Sequence, residues 1–237
     1  MRILPIFCAV CAWAQSGIEV PAVGAVVDPT GALRPVQGVA GSFLLGPATA
    51  SGVLSAACSE RLCLAKTDSE VISTRGRTDA PPGPAIFSVN GDDAIVFFPE
   101  PRTFARWHND TLELLDWTVN GEVLSIRLGA EAEIAVRRDK NVWIVRPDGS
   151  VVDSIADTNG PALLLPEDVL FATSDELVLR HPDGSEVRFD LVGAETIAAM
   201  GPHYTAIHVS NDAGGAVYAL RTEPGRESLF LLPGNTP

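Results

Sequence analysis

The stretches "RPDGSVVDSI" (146–155) and "HPDGSEVRFDL" (181–191) carry one turn phrase twice, with Gly149 and Gly184 35 positions apart. Pro-Asp-Gly between apolar runs encodes a β-hairpin. Pro presets the first turn residue, Asp tolerates the second, and Gly takes the left-handed position that lets the strands return. "NVWIV" and "ELVLR" before the turns, and "SVVDSI" and "SEVRFDL" after them, read as strands.

Looser copies share the phase. They centre on Asp28, Asp68 and Asp110 before the two full phrases at Asp148 and Asp183, and on Pro224 after them. The intervals are 40, 42, 38, 35 and 41 residues, a period near that of repeat architectures. Two further apolar runs fall between successive hairpins, such as "AIFSV" and "AIVFF", so each unit holds four short strands. None sustains a helical period, and β-branched residues are frequent.

Four-stranded units of this length predict an all-β fold, a β-propeller of five four-stranded blades plus an N-terminal hairpin. The five units are expected at 42–75, 84–117, 121–155, 160–191 and 195–232. The hairpin near 22–37 either forms an incomplete sixth blade or lies against the last blade and helps close the ring. A β-helix is the rival fold, but it needs no tight hairpin in every unit.

The stretch "DPTGALRPVQGVAGSFLLG" (28–46) resembles the opening of uncharacterised secreted β-propeller-like proteins of soil bacteria. The resemblance is specific over about twenty residues and implies a propeller-like fold. It brings no catalytic residues. WD40 and kelch signatures are missing from the blades.

The first residues, "MRILPIFCAVCAWAQ", have the pattern of a secretory signal: Arg2, an apolar run from Ile3 to Trp13, then Ala12-Trp13-Ala14 before Gln15. The expected organisation is a signal peptide over 1–14 and one propeller domain over 15–237. The mature chain has 237 − 14 = 223 residues, and losing Arg2 takes the formal charge from −13 to −14. The expected location is periplasmic or extracellular, with no transmembrane segment after cleavage. An acidic surface disfavours nucleic acid as a partner. A monomer is expected.

Cys58 and Cys63 would face each other across a hairpin with Glu60-Arg61 at its turn, close enough for a disulfide in an oxidising compartment. A metal reading is poor, because no second Cys or His pair lies nearby.

Strong enzyme motifs are lacking: no Gly-x-Ser-x-Gly, no His-Glu-x-x-His, no Walker loop and no dinucleotide fingerprint. His108 and His181 sit beside hairpin turns. His208, two residues before Ser210 and four before Asp212, suggests a triad, but nothing in the strand pattern orients one. Asp92-Asp93 and Asp157-Thr158-Asn159-Gly160 offer too few spaced acids for calcium, and Asn109-Asp110-Thr111 reads as turn residues rather than a glycan acceptor. No cofactor, metal or catalytic residue is assigned.

A propeller usually binds on the face bearing the loops that enter each blade and those that join second to third strands. Arg102, Arg138, Asp175 and Asp212 are the candidate binding residues of that face. The expected function is a secreted, non-catalytic binding or scaffold module for an unknown protein or glycan. The alternative is a propeller hydrolase or lyase acting on a glycan. It would need carboxylates converging on the central channel, roughly 5–10 Å apart for hydrolysis.

Overall fold

The computed structural model describes residues 21–211 and 214–234. Its described residues form strands and turns with no helix. Six antiparallel sheets follow one another along the chain. The N-terminal sheet holds β1 (Ala22–Val27), β2 (Leu33–Val39) and β3 (Ser42–Leu45). The second holds β4 (Ser55–Cys58), β5 (Cys63–Lys66), β6 (Glu70–Ile72) and β7 (Arg77–Asp79). The third holds β8 (Ile86–Asn90), β9 (Asp93–Phe98), β10 (Thr103–His108) and β11 (Thr111–Leu115). The fourth holds β12 (Glu122–Leu128), β13 (Ala132–Arg138), β14 (Asn141–Val145) and β15 (Val151–Ile155). The fifth holds β16 (Ala162–Leu164), β17 (Val169–Ala172), β18 (Glu176–Arg180) and β19 (Glu186–Asp190). The last holds β20 (Ala194–Gly201), β21 (Tyr204–Asn211), β22 (Gly214–Arg221) and β23 (Ser228–Leu231).

A lone sheet of four short strands cannot bury both faces. Here each face meets the next sheet, and six apolar clusters fill the six junctions. Phe87, Val96 and Trp107 of the third sheet pack against Leu64 and Val71 of the second. Val36 and Phe43 of the N-terminal sheet pack against Val217 and Ala219 of the last, which closes the ring. Burying one such Val, Leu or Phe contributes about 1.5–3 kcal/mol. The molecule is a six-bladed β-propeller.

The first strand of each four-stranded blade is innermost, and β4, β8, β12, β16 and β20 touch in succession. Serine hydroxyls tie them together, two of them, Ser88 and Ser125, buried. Ser55 Oγ donates to Ala85 O at 2.7 Å, Ser88 Oγ accepts from Leu128 N at 3.0 Å, and Ser125 Oγ accepts from Leu164 N at 3.0 Å.

Two parts of the sequence expectation need correcting. The ring has six blades: the N-terminal hairpin takes one of its two expected roles, an incomplete sixth blade, and "SFLL", expected to open the next unit, pairs with β2 as its third strand. The unit expected at 42–75 is therefore β4 to β7, within 55–79. The turn phrases also serve different joints. Those at Asp110, Asp148, Asp183 and Pro224 join third to fourth strands, whereas Asp68 lies between the second and third strands of its blade and Asp28 between β1 and β2. Turn chemistry marks a hairpin but not which hairpin.

The direction of β1 decides the shape of the centre. The face bearing the loops that enter the blades is here the upper face. The turn after β1 lies there, because Val53 N, just before β4, donates to Gly31 O at 2.9 Å. The start of β1 lies below, where a Cβ on Gly24 would fall 1.9 Å from Met200 O near the lower end of β20. So β1 runs upward, as second strands do. The N-terminal sheet supplies strands two to four of a blade, and no innermost strand stands before it among the described residues. β20 and β4 close part of the space by approaching each other directly, with Ala199 packing among Ala57 and its neighbours.

Candidate functional site

A cavity of about 850 Å³ lies on the ring axis. The first strands of the five full blades line it. Where the N-terminal blade lacks one among the described residues, Ala25, Val26 and Val27 of β1 and Ala206 and His208 of β21 line it instead. The wall is mostly small and apolar. Leu54 lines the cavity while 48% exposed, an apolar side chain left in water at its upper end. Thr196 is exposed on the same wall.

Asp28, Glu122, Glu195, Arg102 and His208 are the ionisable lining groups. Asp28 Oδ2 accepts from Arg34 Nε at 2.6 Å, and its Oδ1 accepts from Thr30 and from the backbone of Ala32. Burial pushes the Asp28 carboxyl up, but these hydrogen bonds outweigh it and hold the group well below the usual carboxylate range. Glu122 accepts from Arg137 at 3.0 Å. Burial pushes the His208 imidazole down, against the opposing charge of Glu195. This leaves His208 neutral at pH 7 and Glu195 as the lining carboxylate without an ion pair among the described residues.

Of the face residues expected from the sequence, Arg102 and Arg138 meet at one segment, and Asp175 is engaged within its own turn. Arg102 lines the cavity, but its guanidinium donates to Val119 O at 3.1 Å and Gly121 O at 2.8 Å. Arg138 Nε donates to Asn120 O at 3.0 Å. Both arginines thus brace the segment entering β12. Asp175 accepts from Thr173 and Ser174 within its own turn. Asp212 lies outside the described residues, as does the signal expected over 1–14, so the Ser210 and Asp212 partnership of His208 is not described. His181, expected at the periphery, bridges two blades from below, with Nδ1 2.9 Å from Asp168 and Nε2 3.6 Å from Glu227. No group of three or more His, Cys, Asp or Glu suited to a metal occurs among the described residues.

Cys58 and Cys63 are paired across the β4–β5 hairpin with Cα atoms 4.0 Å apart, and Ser59 N donates to Leu62 O at 2.8 Å, the register expected. The sequence reading missed Glu195, Thr196 and Leu54. "TIAAM" carried a weak signal: its adjacent alanines are too small to fill an inner-strand position.

No known family pattern matches the chain, and no curated protein matches it. Its likeness is to solved structures. One is a protein of unknown function from Bacteroides caccae, 14% identical, with a TM-score of 0.56 over 90% of this chain and 94% of that one. Another is PorZ, described as an essential bacterial surface component of the type-IX secretion system of Porphyromonas gingivalis. It is 10% identical, with a TM-score of 0.50 over 88% of this chain. The chain spans 30% of the length of PorZ. These likenesses show a shared fold. Among the described residues no helix is long and apolar enough to cross a membrane.

Proposed function

We propose that this protein is a non-catalytic binding module, exported from the cytoplasm, that holds its ligand in the axial cavity at the upper face. The observation that carries the reading is the cavity itself: about 850 Å³ of apolar-walled space with Leu54 half-exposed at its end. Concave, mostly apolar sites with a few polar groups are where small ligands and short segments bind. Glycan hydrolysis finds less support. It needs a pair of carboxyls, one of them protonated; Asp28 is held ionised and Glu122 is engaged by Arg137, which leaves Glu195 as the one lining carboxylate without an ion pair among the described residues. Export is supported by the signal-like first 14 residues and by the Cys58–Cys63 bond.

The test uses the neutral dye Nile red, whose emission shifts blue in apolar surroundings. The mature protein should bind it at one site. Thr196→Trp, which places an indole in the cavity from an exposed wall position, should abolish that binding while leaving the circular dichroism unchanged. Absence of dye binding in the parent protein, or equal binding in the variant, would overturn the reading.

A further inference from the structure

The last blade and the fourth share a bulge but fill it differently. In β20, Ala194 pairs with Val209 and Thr196 with His208, so Glu195 is the extra residue of a β-bulge. In β12, Val123 pairs with Val136 and Ser125 with Ala135, so Leu124 is the extra residue at the matching place. A bulge on an inner strand re-aims side chains. The fourth blade puts Leu124, Ser125 and Ala135 at the three positions. Ser125 and Ala135 are 1% and 0% exposed, and Ser125 Oγ is taken by Leu164 N. The last blade puts Glu195, Thr196 and His208 there, and all three line the axial cavity. Glu195 and Thr196 are exposed, and His208 is half-buried. Packing does not require these polar side chains, because the fourth blade builds the same bulge without them.

We propose that Glu195, Thr196 and His208 form a polar subsite for the hydroxyl group of an uncharged amphiphile whose apolar body lies along the axis below it, an inference that rests on the axial cavity being a binding site. The groups present suit a hydroxyl. Burial keeps His208 neutral, so its imidazole offers one N–H donor and one bare nitrogen acceptor. Thr196 offers a hydroxyl of its own and Glu195 a carboxylate acceptor. A ligand hydroxyl donates one hydrogen bond and accepts others, so it uses both kinds of partner at once, whereas an ether oxygen only accepts. Glu195 lies near the upper end of β20, which sets the hydroxyl toward the mouth. Below it the wall is Ile197, Ala198 and Ala199 of β20 and Ala206 of β21, with no polar side chain among them. Glu195 to Ala199 spans four steps of about 3.3 Å, which accommodates an alkyl or polycyclic body.

Charge selects an uncharged ligand. Asp28 and Glu122 are matched by Arg34 and Arg137, and the remaining lining charges, Glu195 and Arg102, are opposite, so the site carries no net charge. An anionic head such as a fatty carboxylate would meet Glu195 at the subsite. The Arg102 guanidinium, which could have offset that repulsion, is spent on Val119 O and Gly121 O. A neutral surround gives a cationic head no net attraction.

The probes are decan-1-ol, decyl methyl ether, decanoate and decylammonium, each titrated at pH 7 against Nile red bound to the mature protein. Decan-1-ol should displace the dye at about one tenth of the concentration the ether needs, the ratio that one hydrogen bond to a charged acceptor supports. Decanoate and decylammonium should both be weaker than the alcohol. Glu195→Leu combined with His208→Ala, which installs the fourth-blade residues, should erase the preference for alcohol over ether, with circular dichroism confirming the fold. The ligand series on the parent protein stands by itself should that double variant not fold. Equal displacement by alcohol and ether, or stronger displacement by either ion, would overturn the proposal, as would a preference that survives the double change. Failure of all four probes to displace bound Nile red would overturn it and leave the binding module standing. Absence of Nile red binding altogether would remove both.

Discussion

Gly24→Ala should be among the most damaging single changes in the protein, and its effect tests the upward seating of β1. Gly24 has φ +153°, and a Cβ there would stand 1.9 Å from Met200 O, a backbone atom of β20 that a rotamer change cannot move. Two penalties add. The backbone conformation, which L residues rarely adopt, costs about 1–3 kcal/mol. Forcing two packed strands apart costs about 1–3 kcal/mol more. The central expectation is a loss of about 4 kcal/mol, or about 8–16 °C in melting temperature for a domain of this size. The comparison variant is Gly184→Ala. It has φ +84° and nothing within 4 Å of its added Cβ, so it bears only the left-handed penalty of about 1–2 kcal/mol. Urea unfolding of both variants beside the parent gives the difference directly. A Gly24→Ala loss no larger than that of Gly184→Ala would refute the contact between β1 and the lower end of β20, and with it the direction assigned to β1.

Gly149→Ala, with φ +85° and an equally open surround, should match Gly184→Ala in a denaturant melt, because the two turns share one geometry. Cys58→Ser should lower stability by about 2 kcal/mol in the chain-entropy picture of so short a loop, measured by melts with and without reductant. Asp28 contributes to acid stability. Its folded pKa lies below its unfolded one, so its contribution is fully present above the unfolded value near 3.9 and is lost as pH falls toward the folded value. Asp28→Asn should therefore destabilise the protein at pH 7 and flatten the decline of stability below about pH 4, as read from melts across pH.

The repeat was legible in the sequence because two third-to-fourth strand turns share Pro-Asp-Gly in full and the looser turns at Asp110 and Pro224 keep their phase. The turn from Arg146 to Ser150 is typical: Gly149 N donates to Arg146 O, and Asp148 Oδ1 accepts from the Ser150 backbone and hydroxyl. The blade count was not legible, because "VVDPTGALRP" builds the same kind of turn one joint earlier. There Gly31 N donates to Asp28 O and Asp28 Oδ1 accepts from Thr30. Nothing local tells a second strand from a third. The Cys58–Cys63 pairing was legible, since the register of a short hairpin fixes which residues oppose. The cavity was not. It arises from a strand position that the described chain leaves empty, and its walls are alanines and valines that read as ordinary core. The charged loop residues that attracted notice instead brace neighbouring segments, as Arg102 and Arg138 do around Asn120.

Thiol accessibility at Ala25 tests the open centre most directly. A cysteine at Ala25, a half-buried β1 residue that lines the cavity, is compared with one at Ala135, a second-strand position of the fourth blade that is 0% exposed behind its own inner strand. In protein prepared as residues 15–237, which omits Cys8 and Cys11, the paired Cys58 and Cys63 leave no competing thiol. The account predicts that Ala25→Cys reacts readily with a small methanethiosulfonate reagent under native conditions while Ala135→Cys stays protected until the protein unfolds. Equal protection at both positions would mean that the N-terminal blade has an innermost strand after all, and would contradict the account.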